Sequence, residues 1–260
     1  MYNLEDFLAL LEQVAPLSIS RKVIEQGGYD NSGIIVKSTD KVEKVLFSLD
    51  CSVASVEKAI ELGCDTLVTH HPAIYRPVKS LGLDTDTVSI VTAISKGINI
   101  ISMHLNLDMA DSGIDQSLAE GLGAEQVKVL DYVDGAHGYG REFITNTDTV
   151  SLRNRIKEVF KTDKAVFYGD GYIKKIASFC GSGGENAIMA IEKGITDADT
   201  VVTSDIPHHF IKKLIECGKK VVLLPHYVSE QFGFERFYSL IKDGVKEKAQ
   251  IYYYLDERFM

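Results

Sequence analysis

Two short segments each set a histidine four residues ahead of a carboxylate: His104-Leu-Asn-Leu-Asp108 and His226-Tyr-Val-Ser-Glu230. A third segment, His70-His71-Pro72, puts two imidazoles side by side. A lone His-His pair more often serves packing or hydrogen bonding, but three such segments together favour metal. Imidazole plus carboxylate, without thiolate, suits Zn, Fe, Mn or Co. Six donors are too many for one catalytic zinc, which takes three protein ligands and keeps a water. They suit two divalent ions joined by a carboxylate and a water. Such a pair acidifies the water and stabilises charge at a reacting centre.

The surrounding pattern explains how these residues could be positioned. KVLFSLD (44–50) is a β-rich run and SVEKAIELG (55–63) a helix stopped by glycine. DTLVTHH (65–71) is a strand, TVSIVTAISKG (87–97) a helix and INIISMH (98–104) a third strand. This rhythm predicts a parallel sheet flanked by helices. Ligand sites in open parallel sheets gather at the carboxyl ends of the strands, where His70, His71 and His104 fall. Neighbouring residues of a regular strand point to opposite faces. A bend at Pro72 would let His70 and His71 serve two different ions.

The rhythm returns in IKKIASFCG (173–181), ENAIMAIEKG (185–194), ADTVVTSD (198–205), HFIKKLIECG (209–218) and KKVVLLPH (219–226). AIELGCDTLVTHH resembles AIEKGITDADTVVTSD, and AISKGINIISMHLNLD resembles LIECGKKVVLLPHYVSE. An internal duplication is expected, giving an α/β fold of two similar βαβ-built lobes with the metal site between them at the strand ends. Residues 1–126 with 225–260 are expected to form the first lobe, and 127–224 the second.

These residues resemble the GTP cyclohydrolase 1 type 2-like (Nif-three-like) dinuclear metal-centre proteins. DNSGIIV (30–36), LDCS (49–52), THHPAIYRPVKSL (69–81), HLNLDMADSGIDQSLAEGLG (104–123), TSDIPHHF (203–210) and PHYVSEQF (225–232) carry the resemblance in family order. It implies His70, His71, His104, Asp108, His226 and Glu230 as ligands of the metal pair, and assembly into trimers or hexamers. Leu105, Ser204 and Pro225 depart from the family's usual residues without removing a ligand. The resemblance is thinnest over about 127–172, where many relatives carry a larger inserted domain that this chain is too short to hold.

Other residues have more than one reading. Asp205 and His209 could act in catalysis, by orienting ligands or moving protons. A helix N-cap would equally explain Asp205. Asp50, at the first strand's end, could orient a ligand too. The turn Cys180-Gly-Ser-Gly-Gly-Glu185 could present N–H groups to a phosphate, or be glycine-rich for geometry alone. His137 lies in a polar glycine-rich stretch expected to be an exposed loop without a site role. The aromatic IYYYL segment near the C-terminus reads as an edge strand or an oligomer contact.

The 260 residues carry a net charge of −9, with 45% hydrophobic and 25% charged residues. That balance fits a globular protein and argues against a nucleic-acid-binding face. No apolar stretch is long enough to span a membrane. The N-terminus reads as an amphipathic helix with Leu4, Phe7, Leu8 and Leu11 on one face, and not as a signal peptide. Four scattered cysteines suggest free thiols in a cytoplasmic protein. Two functions fit: a metal-dependent hydrolase acting on a nucleotide or similar small molecule, or a metal-binding regulatory protein without turnover.

Overall fold

The computed structural model describes residues 1–245 and 247–260. The chain divides into two compact units. One comprises Met1–Leu107 and Phe234–Asp256, the other Asp108–Gly233 and Glu257–Met260. The sequence-based expectation set the boundaries at 126/127 and 224/225. They fall earlier and later because the helix after Asp108 packs on strands of the second unit.

In order, the first unit contains β1 (Tyr2–Asn3), α1 (Leu4–Glu12), α2 (Leu17–Glu25), β2 (Gly33–Val36), β3 (Lys41–Val42), β4 (Lys44–Ser48), α3 (Val53–Leu62), β5 (Thr66–Thr69), α4 (Val88–Ser95) and β6 (Asn99–Ser102). The boundary lies within α5 (Leu105–Met109). The second unit follows with α6 (Ile114–Leu122), β7 (Lys128–Tyr132), β8 (Gly138–Asp148), α7 (Thr149–Val159), β9 (Val166–Tyr168), β10 (Tyr172–Ser178), α8 (Gly184–Glu192), β11 (Thr200–Thr203), α9 (His208–Glu216) and β12 (Lys220–Leu223). The return boundary lies within α10 (His226–Val245), after which β13 (Gln250–Tyr254) rejoins the first unit.

The first unit's main sheet has the order β13-β4-β5-β6-β2. Strands β13, β4, β5 and β6 run parallel, and β2 is antiparallel to β6. Every residue of β5 and β6 is buried, as expected of strands covered on both faces. The four apolar residues of α1 named from the sequence are buried as well. On α10, Phe234, Phe237 and Ile241 fall on one helical face and are buried. Phe234 packs tilted and Phe237 edge-on against Phe47 of β4, with ring centroids 6.1 and 5.9 Å away.

The second unit's sheet has the order β7-β8-β10-β11-β12-β9. Its parallel core, β10-β11-β12, repeats the strand–helix order of β4-β5-β6. The expected parallel sheet is therefore the core of a mixed one. Hairpin β7-β8 is antiparallel and extends one edge, and β9 runs antiparallel to β12 at the other. These additions come from 127–172, where the βαβ rhythm lapses. The IYYYL segment is the edge strand β13. The glycine-rich stretch around His137 is a tight turn leading directly into β8. Its Arg141 is buried and donates to the carbonyls of Gly138 and Gly140.

Candidate metal centre

In the first unit two strands, β5 and β6, deliver three histidines at their carboxyl ends. Strand β5 stops at Thr69 because the backbone N–H groups of His70 and His71 both donate to the Leu49 carbonyl. Two consecutive donors on one acceptor break the alternation of a regular strand, so both rings turn toward the same region. Their centroids lie 4.8 Å apart. His104, just past β6, places its ring 5.2 Å from His70 and 5.9 Å from His71. Each of the three offers a ligand nitrogen, all within 4.8 Å of one another.

The Nδ1 atoms are committed elsewhere. His70 Nδ1 lies 2.9 Å from the Met103 carbonyl oxygen, which can only accept. His71 Nδ1 is 2.7 Å from Asp50, and His104 Nδ1 is 2.7 Å from Asp30. Each imidazole therefore donates from Nδ1, which leaves Nε2 as the nitrogen to meet a metal. An acceptor behind each ring is the usual means of orienting metal-binding histidines. Asp30 is buried and also accepts from Ser20 and Ser32. Burial pulls its carboxyl up, but the His104 hydrogen bond and charge, with the two hydroxyls, hold it below the ordinary carboxylate range. Asp30 lies in the DNSGIIV segment that carries the family resemblance, and its place behind His104 is not visible in the spacing of the histidines.

The second unit carries a parallel arrangement. His226 opens α10 after β12, and its Nδ1 lies 2.6 Å from Asp205, just past β11. Its Nε2 is 3.1 Å from Glu230, one helical turn on. Glu230 and Asp108 are both buried, and the Cys180 thiol, just past β10, donates to Asp108 over 3.3 Å. Burial, and then the negative charges of Asp108, Asp115 and Glu230, push that thiol well above its usual range. Three carboxylates in an enclosed space create a field that a cation relieves. Asp115 is buried beneath them and accepts from the N–H groups of Cys180 and Gly140, with Arg141 4.0 Å away. Burial raises its pKa against these contacts.

The glycine-rich turn has a packing reason. Gly181 adopts φ +53, and a Cβ there would collide with Glu230 Oε1. Its N–H donates to Ser229 Oγ, in the same helical turn as Glu230. The expected alternative of Asp205 as an N-cap does not hold, since Pro207 occupies that position ahead of α9. His209 is exposed, with its ring against Phe210. His137 bonds to Asp134 in its turn.

Within each unit the donor chemistry fits divalent cations: three imidazoles oriented through Nδ1 in one, carboxylates with an oriented imidazole in the other. Fold and residues together define a two-unit α/β protein whose strand ends carry histidine and carboxylate groups that could hold metal. The chain belongs to the Duf34/NIF3 (NGG1p interacting factor 3) family, whose model matches residues 2–256. It is 31% identical over 238 residues to a Clostridium perfringens protein named GTP cyclohydrolase 1 type 2 homolog, covering 88% of this chain and 87% of that one. Its fold matches a Staphylococcus aureus hypothetical protein at TM-score 0.86 and 24% identity, covering 99% and 98% of the two chains. A Bacillus cereus protein related to NIF3 matches at TM-score 0.85 and 18% identity, with the same coverage. Among the described residues no helix is long and apolar enough to cross a membrane.

Proposed function

We propose that this chain binds two divalent metal ions through His70, His71, His104, Asp108, His226 and Glu230, and that it is a metal-dependent hydrolase. The carrying observation is the histidine trio of the first unit, each ring held at Nδ1 with Nε2 offered to a common region. What favours metal is that, with Nδ1 of each ring bonded elsewhere, one ligand nitrogen from each of the three histidines falls within 4.8 Å of the others. When bound, a pair of divalent cations acidifies water and stabilises negative charge developing on a substrate. Asp50, Asp30 and Asp205 accept at Nδ1 of His71, His104 and His226 and so fix the direction of each ring. Asp205 takes its catalytic part through His226, and the exposed His209 moves protons between site and solvent. The names of the curated relatives favour a nucleotide or similar small molecule as substrate.

Metal analysis tests the binding. Two ions per chain are expected after loading with Zn, Mn or Fe, and a single ion or none overturns the proposal. Turnover is tested by screening the loaded protein against nucleotides and phosphoesters. Loss of activity with the metal, restored on reloading, is the expected result. Two tightly held ions with every coordination position filled by protein, and no turnover, would instead identify a regulatory metal-binding protein.

A further inference from the structure

We propose that the cleft formed by residues 73–90, beside the histidine trio, captures an aromatic phosphate monoester, with Arg76 and Lys79 on the phosphate and Tyr75 against the ring. This names the substrate class for the site proposed above and rests on that proposal only for the reacting end.

After His71 the chain does not enter a helix but runs through a long loop to α4. The loop walls a cleft of about 520 Å³, lined by Ile74, Tyr75, Arg76, Lys79, Ser80 and Thr87 among others. That volume suits a small organic ligand. The loop is pinned on both sides. Asn31 donates its side-chain amide to the Ile74 carbonyl at 2.5 Å, and the Gly82 N–H donates to Thr87 Oγ1 at 3.1 Å. The two ends of the loop are therefore anchored on either side of Arg76 and Lys79.

Tyr75 links the cleft to the metal centre, its ring edge-on to His104 at 5.7 Å. Tyr29 packs against Tyr75 at 5.2 Å, and both rings are more than a third exposed. The Arg76 guanidinium lies 5.0 Å from the Tyr29 ring and 5.7 Å from the Tyr75 ring. A guanidinium held against aromatic rings keeps its in-plane N–H donors available for the paired oxygens of a phosphate. Lys79, on the same wall, supplies a second positive charge.

The charge bookkeeping points the same way. Several lysines elsewhere in the unit sit beside carboxylates, as in Lys22–Glu25, Lys37–Asp40 and Lys58–Glu61. Among the described residues Arg76 and Lys79 enter no ion pair. Asp86 also lines the cleft, so two cations face one acid. In a chain of net charge −9, two uncommitted cations on a pinned aromatic wall beside histidine ligands mark an anion subsite.

Calorimetry with phenyl phosphate, inorganic phosphate and phenol tests this on zinc-loaded and metal-stripped full-length protein. Wild type is expected to bind phenyl phosphate more tightly than either control. Arg76→Ala and Lys79→Ala each weaken phenyl phosphate by about tenfold or more, the loss typical of a hydrogen bond to a charged group. Tyr75→Leu weakens phenyl phosphate but leaves inorganic phosphate unchanged. All three variants keep wild-type zinc content and far-UV circular dichroism. No binding to wild type in either metal state overturns the subsite, as does wild-type affinity in the Arg76/Lys79 double variant. If zinc fails to bind while phosphate affinity still depends on Arg76 and Lys79, the metal proposal falls and the subsite stands. If zinc binds while phenyl phosphate ignores both substitutions, the reverse holds.

Discussion

At the residue scale the unequal roles of imidazole and carboxylate decide how the site should fail. An imidazole offers one lone pair and serves one cation, whereas a carboxylate has two oxygens and a full charge. Of the two carboxylates proposed as ligands, Glu230 has the longer side chain, and we predict that it bridges the pair. Glu230→Gln removes negative charge from beside two dications, whose repulsion then goes less compensated. The expected outcome is loss of both metals together, where His71→Ala weakens the site less. Metal analysis of the two variants checks this, and one fully retained ion in Glu230→Gln would make Glu230 a terminal ligand.

At the element scale the fold depends on a few caps and packed faces. Helix α7 starts at Asp148, whose Oδ1 accepts from the Ser151 N–H at 2.8 Å. That backbone hydrogen bond, foremost, holds the Asp148 carboxyl below its ordinary value. An acid with a depressed folded pKa contributes stability above its unfolded pKa and loses it as pH falls through the folded one. Asp148→Ala should therefore melt at a lower temperature than wild type at pH 7, and the gap should close below about pH 4. A gap independent of pH would show that the charged cap contributes nothing. In the first unit Phe47 is fully buried against Phe234, Phe237 and Tyr238 of α10. Phe47→Ala is expected to cost about 3–5 kcal/mol, through lost burial and the cavity left behind. Urea denaturation followed by circular dichroism measures it, and a loss under about 1 kcal/mol would mean that the surrounding rings collapse to fill the space.

At the scale of the whole molecule the prediction is assembly. We predict a symmetric homo-oligomer, trimer or hexamer, on the resemblance read from the sequence. Light scattering at micromolar concentration checks it, and a monomer would count against it. The edge strand β13, with three consecutive tyrosines, is a surface through which copies could associate.

The sequence by itself determined the repeated strand–helix elements of the two parallel cores and the chemical types at their ends. Core strands such as TLVT and NIIS are apolar and β-rich with glycine stops nearby, and those local preferences survive folding. The His70-His71 and His226-x-x-x-Glu230 spacings were legible for the same reason, since strand ends and helical turns fix which neighbours converge. Tertiary structure decided what lies far apart in the chain. Asp30 behind His104, Asp115 beneath Cys180 and Arg76 against Tyr29 are contacts between segments dozens of residues apart, which no local periodicity encodes. The antiparallel edges β7-β8 and β9 were hidden too. An edge strand pairs through backbone groups that every residue carries, so its partner leaves little trace in side-chain pattern.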